Sequence, residues 1–112
     1  MGNRWNGPDR SWSAGVESVV QEYDTLRELK ELKRLETLSL MTTAVTDAGL
    51  KDLKELKGLK ELYLESTKVT DAGIKHLKEL KNLEQLDLFN TKVTDAGVKE
   101  LKTALPKLEI IR

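Results

Sequence analysis

Three aspartates recur at a fixed interval along the chain, each within the motif Thr-Asp-Ala-Gly. A column of carboxylates could bind calcium, which takes oxygen ligands, or could supply a catalytic acid. Each aspartate follows a threonine, however, and this pair is typical of a helix start, where threonine caps and aspartate favours the helix dipole. We therefore predict no metal or catalytic site and interpret six residues as structural caps: Thr46, Asp47, Thr70, Asp71, Thr94 and Asp95.

Few other side chains could carry chemistry. His76 is the single histidine, and the equivalent positions of the neighbouring motifs hold Asp52 and Glu100, so we interpret it as a solvent-facing residue. The chain has no cysteine, which excludes disulfides and thiolate metal sites. The motif glycines lack the Lys-Ser/Thr that follows in a phosphate-binding loop. The sequence thus predicts a protein that is not an enzyme and binds no cofactor.

Charge and hydropathy restrict the partners. Nineteen basic and nineteen acidic residues balance to a net charge of zero. This balance argues against bulk electrostatic binding to nucleic acid or to an anionic membrane. No apolar run approaches the roughly 18 residues of a membrane span, and residues 1–10 lack the apolar core of a secretory signal. We therefore expect no membrane association and, by default, a cytoplasmic location.

The elements that position these residues form an internal repeat. Residues 46–69 and 70–93 are identical at about two-thirds of their positions, and a third start, TDAGVKEL, follows at Thr94. Upstream, residues 26–45 keep the same leucine spacing without the Thr-Asp-Ala-Gly opening. A fixed period of this size indicates a repeat array, in which each unit buries its apolar face against its neighbours.

Within one repeat the leucines predict a helix that ends early. They are spaced by three without a break: Leu50, Leu53, Leu56, Leu59 and Leu62. On a single α-helix such a series would drift around most of the circumference. We therefore predict a short helix or 3₁₀ turn from Asp47 to about Lys57, with a left-handed end at Gly58, or at Asn82 in the next repeat. The alternation that follows predicts a strand, and strands separated by helices must pair in parallel.

The repeats resemble a known family. LETLSLMTT, LKELYLEST and LEQLDLFNT, at residues 35–43, 59–67 and 83–91, are similar to the LxxLxLxxN core of leucine-rich repeats. VTDAGL, VTDAGI and VTDAGV are similar to the ITDxGL of the cysteine-containing subtype, and more similar still to the bacterial 24-residue repeats with threonine at that position.

The resemblance covers residues 26–112. It implies an α/β leucine-rich-repeat solenoid, a right-handed β-α superhelix with a parallel concave sheet and short convex helices. Its usual role is protein recognition by the concave face, without catalysis. Threonine replaces the family's ladder asparagine at Thr43, Thr67 and Thr91.

The chain divides into three parts. Residues 1–10 are predicted to be a flexible tail, and residues 11–25 an N-terminal capping segment. A helix is favoured there by an apolar stripe at Trp12, Val16, Val19, Val20 and Tyr23, although Val16 to Val20 could instead form a strand of a degenerate extra repeat. Trp12 is interpreted as a hydrophobic lid and Trp5 as part of the tail; an aromatic contact site is the alternative. Residues 26–112 comprise about three full repeats and a closing C-terminal repeat.

The positions that vary between matching repeats suggest a binding site. On the predicted concave face they are Thr37, Ser39, Met41, Glu61, Tyr63, Glu65, Gln85, Asp87 and Phe89. The repeat pattern assigns no structural role to Met41, Tyr63 or Phe89. Aromatic residues amid acidic ones suit a basic and hydrophobic protein or peptide. The convex lysines, by contrast, are interleaved with glutamates, as on a solvated face.

Two functional hypotheses follow. The first is a non-catalytic protein-recognition module that binds a protein or peptide on its concave sheet face. The alternative is a structural or assembly unit with no partner of its own, including an engineered consensus-like repeat scaffold or a fragment of a longer repeat protein. We also expect weak homo-oligomerisation through the C-terminal end, because an exposed parallel edge invites pairing.

Overall fold

The structure is a computed structural model that describes residues 11–13, 35–42 and 45–112. Its described strands form one parallel sheet whose spatial order follows the order of the chain. From β2 onward, each residue pairs with the residue one repeat period later, so the period of the sequence is also the register of the sheet. The five strands are β1 (Ser11–Ser13), β2 (Thr37–Ser39), β3 (Glu61–Tyr63), β4 (Gln85–Asp87) and β5 (Glu109–Ile111).

Among the described residues, short helices connect β2 to β3, β3 to β4 and β4 to β5. They are α1 (Asp47–Leu50), α2 (Asp71–Ile74) and α3 (Asp95–Ala104). The first two continue as 3₁₀ turns at Lys51–Glu55 and Lys75–Glu79. A 3₁₀ helix has three residues per turn, so leucines spaced by three stay on one face, and Leu53 and Leu56 are fully buried. In α3 the spacing widens to four between Leu101 and Leu105, and the helix remains α throughout.

The predicted left-handed helix end is wrong at Asn82. The 3₁₀ turn before it ends at Leu80 with φ −89° and ψ 76°, and the Lys81 N–H donates to the Glu79 carbonyl at 3.0 Å. This is an inverse γ-turn, which turns the chain without a positive φ. The Asn82 side chain instead donates from Nδ2 to the Lys57 carbonyl of the preceding repeat at 3.0 Å. Among non-glycine residues, positive φ occurs after the strands, at Thr42, Ser66 and Asn90.

The core is a stack of apolar side chains between the sheet and the helices. Leu38, Leu62 and Leu86 occupy equivalent places in successive strands and are completely buried, as the repeat register predicts. The threonines that replace the ladder asparagine bond within their own repeat. Thr67 donates to the Leu64 carbonyl at 2.7 Å, and Thr91 makes the same bond to Leu88 at 2.8 Å. Thr43 lies outside the described residues.

The N-terminal segment differs from the favoured interpretation where the structure describes it. Ser11–Ser13 is a strand, not the first turn of a helix, and Trp12 pairs in register with Leu38. Pairing with β2 extends the parallel ladder by one strand, which a helix at this position could not do. The remainder of the apolar stripe and Trp5 lie outside the described residues.

Candidate partner-binding face

The strands place all nine predicted binding positions on the side of the sheet opposite the core. In β2, β3 and β4 the central residue is buried and the two flanking residues are half-buried on the other side. Parallel hydrogen bonds continue beyond the strands, from the Thr42 N–H to the Glu65 carbonyl at 2.9 Å and from the Ser66 N–H to the Phe89 carbonyl at 3.0 Å. These bonds hold Met41, Glu65 and Phe89 side by side in successive repeats. We call this surface the open sheet face.

Two residues that the sequence analysis did not select extend the open sheet face. Glu109 pairs with Gln85 and Ile111 pairs with Asp87, so both continue the outward columns onto β5. Both are exposed. The signal was present in the sequence, because each lies one repeat period after a position already assigned to the face. The two residues were missed because the last repeat was interpreted only as the closing repeat of the array.

The exposed large apolar side chains of the described residues all lie on this face. They are Met41, Phe89 and Ile111, with relative exposures of 37%, 53% and 39%. The face carries four acidic residues, Glu61, Glu65, Asp87 and Glu109, and its eleven positions include no lysine or arginine. A chain with zero net charge therefore has one surface that is both acidic and apolar.

Tyr63 has a structural role that the sequence analysis did not assign to it. It is half-buried, and its hydroxyl donates to Glu61 Oε1 at 3.0 Å and lies 3.4 Å from Gln85 Oε1. Burial, the hydrogen bond to Glu61 and the charges of Glu61 and Asp87 together raise the pKa of Tyr63 above its usual value. The hydroxyl therefore bonds mainly within β3, to Glu61, and lies against Gln85 of β4.

The backbone around Phe89 is fixed by its neighbours. Its N–H donates to Asp87 Oδ1 at 3.0 Å. The next residue, Asn90, has a φ of 59° and donates from Nδ2 to Ser66 Oγ at 3.0 Å. These bonds hold the backbone of the turn that carries Phe89, and the Phe89 side chain is exposed.

The cap residues behave differently from one repeat to the next. The Thr70 hydroxyl accepts from the Ala72 N–H at 3.2 Å, and the Thr94 hydroxyl from the Gly97 N–H at 3.4 Å. Thr46 makes no side-chain capping bond, contrary to the prediction.

The aspartates do more than favour the helix dipole. Asp47 accepts from the backbone N–H and the hydroxyl of Thr70, and Asp71 accepts the same two bonds from Thr94. Each carboxylate therefore joins one repeat to the next. The Thr94 bonds hold the pKa of Asp71 below its usual value.

The same carboxylates explain the motif glycine. A Cβ on Gly73 would lie 2.9 Å from Cγ of Asp47 and 3.0 Å from its Cα, and a Cβ on Gly97 would lie 2.6 Å from Cγ of Asp71. Only glycine lets the aspartate of the preceding repeat approach the helix this closely.

The described residues contain no group of three or more His, Cys, Asp or Glu side chains that could hold a metal ion. On the helix side, Lys78 pairs with Glu100 at 2.8 Å, and this pair lowers the pKa of the carboxyl. His76 is half-buried there. In the part of the chain that the structure describes, no helix has the length and apolar character needed to cross a membrane.

Comparison with known proteins agrees with this geometry. A family model described as "Leucine Rich repeats (2 copies)" matches residues 57–103. A leucine-rich-repeat protein of Leptospira interrogans superimposes with a TM-score of 0.61 at 29% identity, covering 75% of this chain and 21% of that one. The fold is a leucine-rich-repeat solenoid. No curated protein matches the sequence significantly.

Two solved structures with lower sequence identity share the fold. A chain of the Chaetomium Mex67:Mtr2 subunits has a TM-score of 0.74 at 19% identity, covering 96% of this chain and 82% of that one. A chain of a TLR13–ssRNA13 complex has a TM-score of 0.56 at 19% identity, covering 91% of this chain and 18% of that one. This chain thus spans about a fifth of the Leptospira and TLR13 chains. The second neighbour comes from a complex with an RNA. That this chain binds no nucleic acid, which its net charge predicted, stays a prediction.

Proposed function

We propose that this leucine-rich-repeat chain is a non-catalytic recognition module that binds a protein or peptide on its open sheet face. One observation supports this proposal most strongly. The exposed large apolar side chains of the described residues lie on one surface, and they are Met41, Phe89 and Ile111. Scattered exposed apolar residues are ordinary on any protein, but their concentration on one face of a sheet favours a contact site.

Phe89 is the proposed centre of the site. Aromatic side chains dominate the binding energy of many interfaces when a partner buries them. The bond from the Phe89 N–H to Asp87 and the bond between Asn90 and Ser66 hold its turn in place before any partner arrives. Such preorganisation reduces the ordering cost of association. Ile111 extends the apolar area on the neighbouring strand.

The charges of the face indicate the partner's chemistry. Glu61, Glu65, Asp87 and Glu109 have no basic counterpart among the eleven positions. A partner with lysine or arginine around an apolar anchor would complement this surface and be steered toward it. We therefore infer a basic and hydrophobic protein segment as the partner class.

We further assign the repeats to the bacterial 24-residue type with threonine in the Val-Thr-Asp-Ala-Gly segment. The similarity to the Leptospira protein supports this assignment. The geometry of the motif supports it as well, because threonine, aspartate and glycine act together at the two described junctions between the motifs, Asp47 with Thr70 and Asp71 with Thr94.

The second candidate is an assembly unit that contacts mainly itself. It is favoured by β5, which pairs on one side with β4 and forms an edge of the described sheet. Edge strands invite pairing with other chains. Sedimentation at high protein concentration separates the candidates, since an assembly unit must form larger species and a recognition module need not.

A capture experiment tests the proposed function. The wild-type chain and a Phe89→Ser/Ile111→Ser variant would be immobilised and exposed to the same cell extract, with Lys54→Ala as a matched control on the helix side. Proteins retained by the wild type and by the control, but lost from the double variant, would support the open sheet face. Retention by all three would contradict it.

A further inference from the structure

One row of the open sheet face places a carboxylate between two exposed apolar side chains. Glu65 lies between Met41 of the preceding repeat and Phe89 of the following one. Backbone bonds from the N–H groups of Thr42 and Ser66 join the three segments, so about 4.8 Å separates each segment from the next. Glu65 is half-buried, whereas Met41 and Phe89 are exposed. The row therefore combines one carboxylate with apolar surface on either side.

The Glu65 carboxylate differs from two other acidic side chains of the face. Glu61 Oε1 accepts from the Tyr63 hydroxyl at 3.0 Å. Asp87 Oδ1 accepts from the Phe89 N–H, also at 3.0 Å. In the part of the chain that the structure describes, the Glu65 carboxylate makes no such bond. A half-buried carboxylate beside apolar side chains loses part of its hydration, so a cation interacts with it more strongly than in open solvent.

We propose that Met41, Glu65 and Phe89 form a subsite for an arginine side chain of the partner. The guanidinium donates to the Glu65 carboxylate and lies against the Phe89 ring, while the methylene groups of the arginine pack along Met41. This inference rests on the proposed function and specifies it, because it names the side chain that anchors the basic and hydrophobic segment. We call the three residues the arginine subsite.

The chemistry of the subsite favours arginine over the other cations that a carboxylate attracts. A guanidinium is planar, so it can donate two N–H bonds to one carboxylate and stack on an aromatic ring at the same time. A lysine ammonium is a strongly hydrated point charge without a flat surface. Calcium takes about six to eight oxygen ligands, whereas the row supplies one carboxylate between two apolar side chains.

Met41 and Phe89 suit the two sides of an arginine differently. The face of an aromatic ring attracts a cation, which favours the guanidinium on the Phe89 side. A methionine side chain is flexible and polarisable, so Met41 can adapt to the apolar stem of the arginine. Long basic side chains commonly pack their stems on apolar surface while the charged group finds a polar partner. The row offers both kinds of contact to one side chain.

The probes are two synthetic peptides, acetyl-Leu-Arg-Leu-Arg-Leu-amide and acetyl-Leu-Lys-Leu-Lys-Leu-amide, each titrated into the full chain and followed by NMR shift changes. The peptides have the same net charge and the same leucines, so the ratio of their dissociation constants measures the preference for arginine. The wild type should bind the arginine peptide about three- to tenfold more tightly than the lysine peptide.

Three variants locate this preference. Phe89→Leu keeps an apolar side chain but removes the ring, and should lower the preference to about twofold or less. Glu65→Gln should weaken the arginine peptide about three- to tenfold and also lower the preference, because an amide oxygen accepts the two guanidinium bonds less strongly. Glu61→Gln is the matched control: it removes one charge from the same face and should weaken both peptides alike. Thermal melts confirm that each variant remains folded.

Three outcomes would overturn the arginine subsite. Equal binding of the two peptides by the wild type, with both weakened by Phe89→Leu, would do so and would leave the proposed function standing. An arginine preference that survives both Phe89→Leu and Glu65→Gln would place the preference elsewhere on the chain. If neither peptide bound at millimolar concentration, the subsite would also be wrong, and the capture experiment would decide the proposed function separately.

Discussion

The carboxylate of Asp47 holds Thr70 of the next repeat with two hydrogen bonds. Oδ1 accepts from the Thr70 N–H at 2.7 Å, and Oδ2 accepts from the Thr70 hydroxyl at 2.6 Å. With its proton directed to Asp47, that hydroxyl presents its lone pairs to the Ala72 N–H. One side chain therefore links the packing of two repeats to the start of the second helix.

Replacing Thr70 by alanine should reduce the free energy of unfolding by about 0.5–2 kcal/mol, because a helix cap is lost. The same change at Thr46, which makes no side-chain capping bond, should cost less and is the control. Denaturant unfolding of Asp47→Ala, Thr70→Ala and the double variant forms a mutant cycle. A coupling energy indistinguishable from zero would show that the Asp47–Thr70 bonds do not contribute to stability.

Gly73→Ala should destabilise the protein, although alanine usually stabilises a helix by about 0.5–1 kcal/mol relative to glycine. The new methyl would overlap the Asp47 carboxylate and force it away from Thr70. In an Asp47→Ala background the overlap with the carboxylate disappears and only the 3.0 Å approach to the Cα of residue 47 remains, so the same substitution should cost much less. Thermal melts of the four proteins measure this difference. A stabilising effect of Gly73→Ala in the wild type would rule the explanation out.

Acid should weaken the junction between the second and third Thr-Asp-Ala-Gly motifs. The bonds from Thr94 lower the pKa of Asp71 in the folded state. Because the pKa of Asp71 is lower in the folded state, its carboxylate stabilises the protein at any pH above the unfolded-state pKa, which is near 3.8. This stabilisation is lost as the pH falls through the folded-state pKa.

Asp71→Asn isolates this effect. The wild type should lose stability between about pH 5 and pH 3 more steeply than Asp71→Asn, because the amide does not titrate in that range. Urea unfolding of both proteins across this pH range gives the difference directly. Parallel pH profiles would show that Asp71 binds protons equally well in the folded and unfolded states.

The repeat period and the leucine spacing were sufficient to predict the sheet and its core. The 24-residue period predicts the strand register, in which Leu62 is aligned with Leu86. Neighbouring repeats must bury the side chains of equivalent positions against each other, and this requires that register. The role of Asp47 was not predicted, since its partner Thr70 lies in the next repeat and only the stacked geometry brings them together. The contact of Tyr63 with Gln85 was missed for the same reason.

The core should be most sensitive at the centre of the stack. Leu86 is fully buried, and its strand neighbours in register are Leu62 and Ile110. Leu86→Ala should reduce the free energy of unfolding by about 2–5 kcal/mol, through lost burial and an added cavity. A loss below about 0.5 kcal/mol in denaturant unfolding would be inconsistent with this packing. Leu105, near the end of α3, offers a less central comparison.

Charge on the open sheet face should affect the rate of association more than the lifetime of the complex. Removing a rim charge with Glu61→Gln should slow association and flatten its dependence on salt, because steering by charge is screened by ions. Stopped-flow or surface-based kinetics at several ionic strengths measure both rates. A change confined to dissociation would contradict a steering role.

The proposed partner binds through the apolar side chains of the open sheet face. The direct measurement is a calorimetric titration of a captured partner against Phe89→Ala, Tyr63→Ala, Ile111→Ala and the helix-side control Lys54→Ala. A buried aromatic at an interface hot spot should cost about 2 kcal/mol or more of affinity when truncated, while Lys54→Ala should have almost no effect. We expect the largest loss at Phe89. Unchanged affinity for all three open-face variants, together with a loss for Lys54→Ala, would contradict the account and transfer the binding site to the helix side.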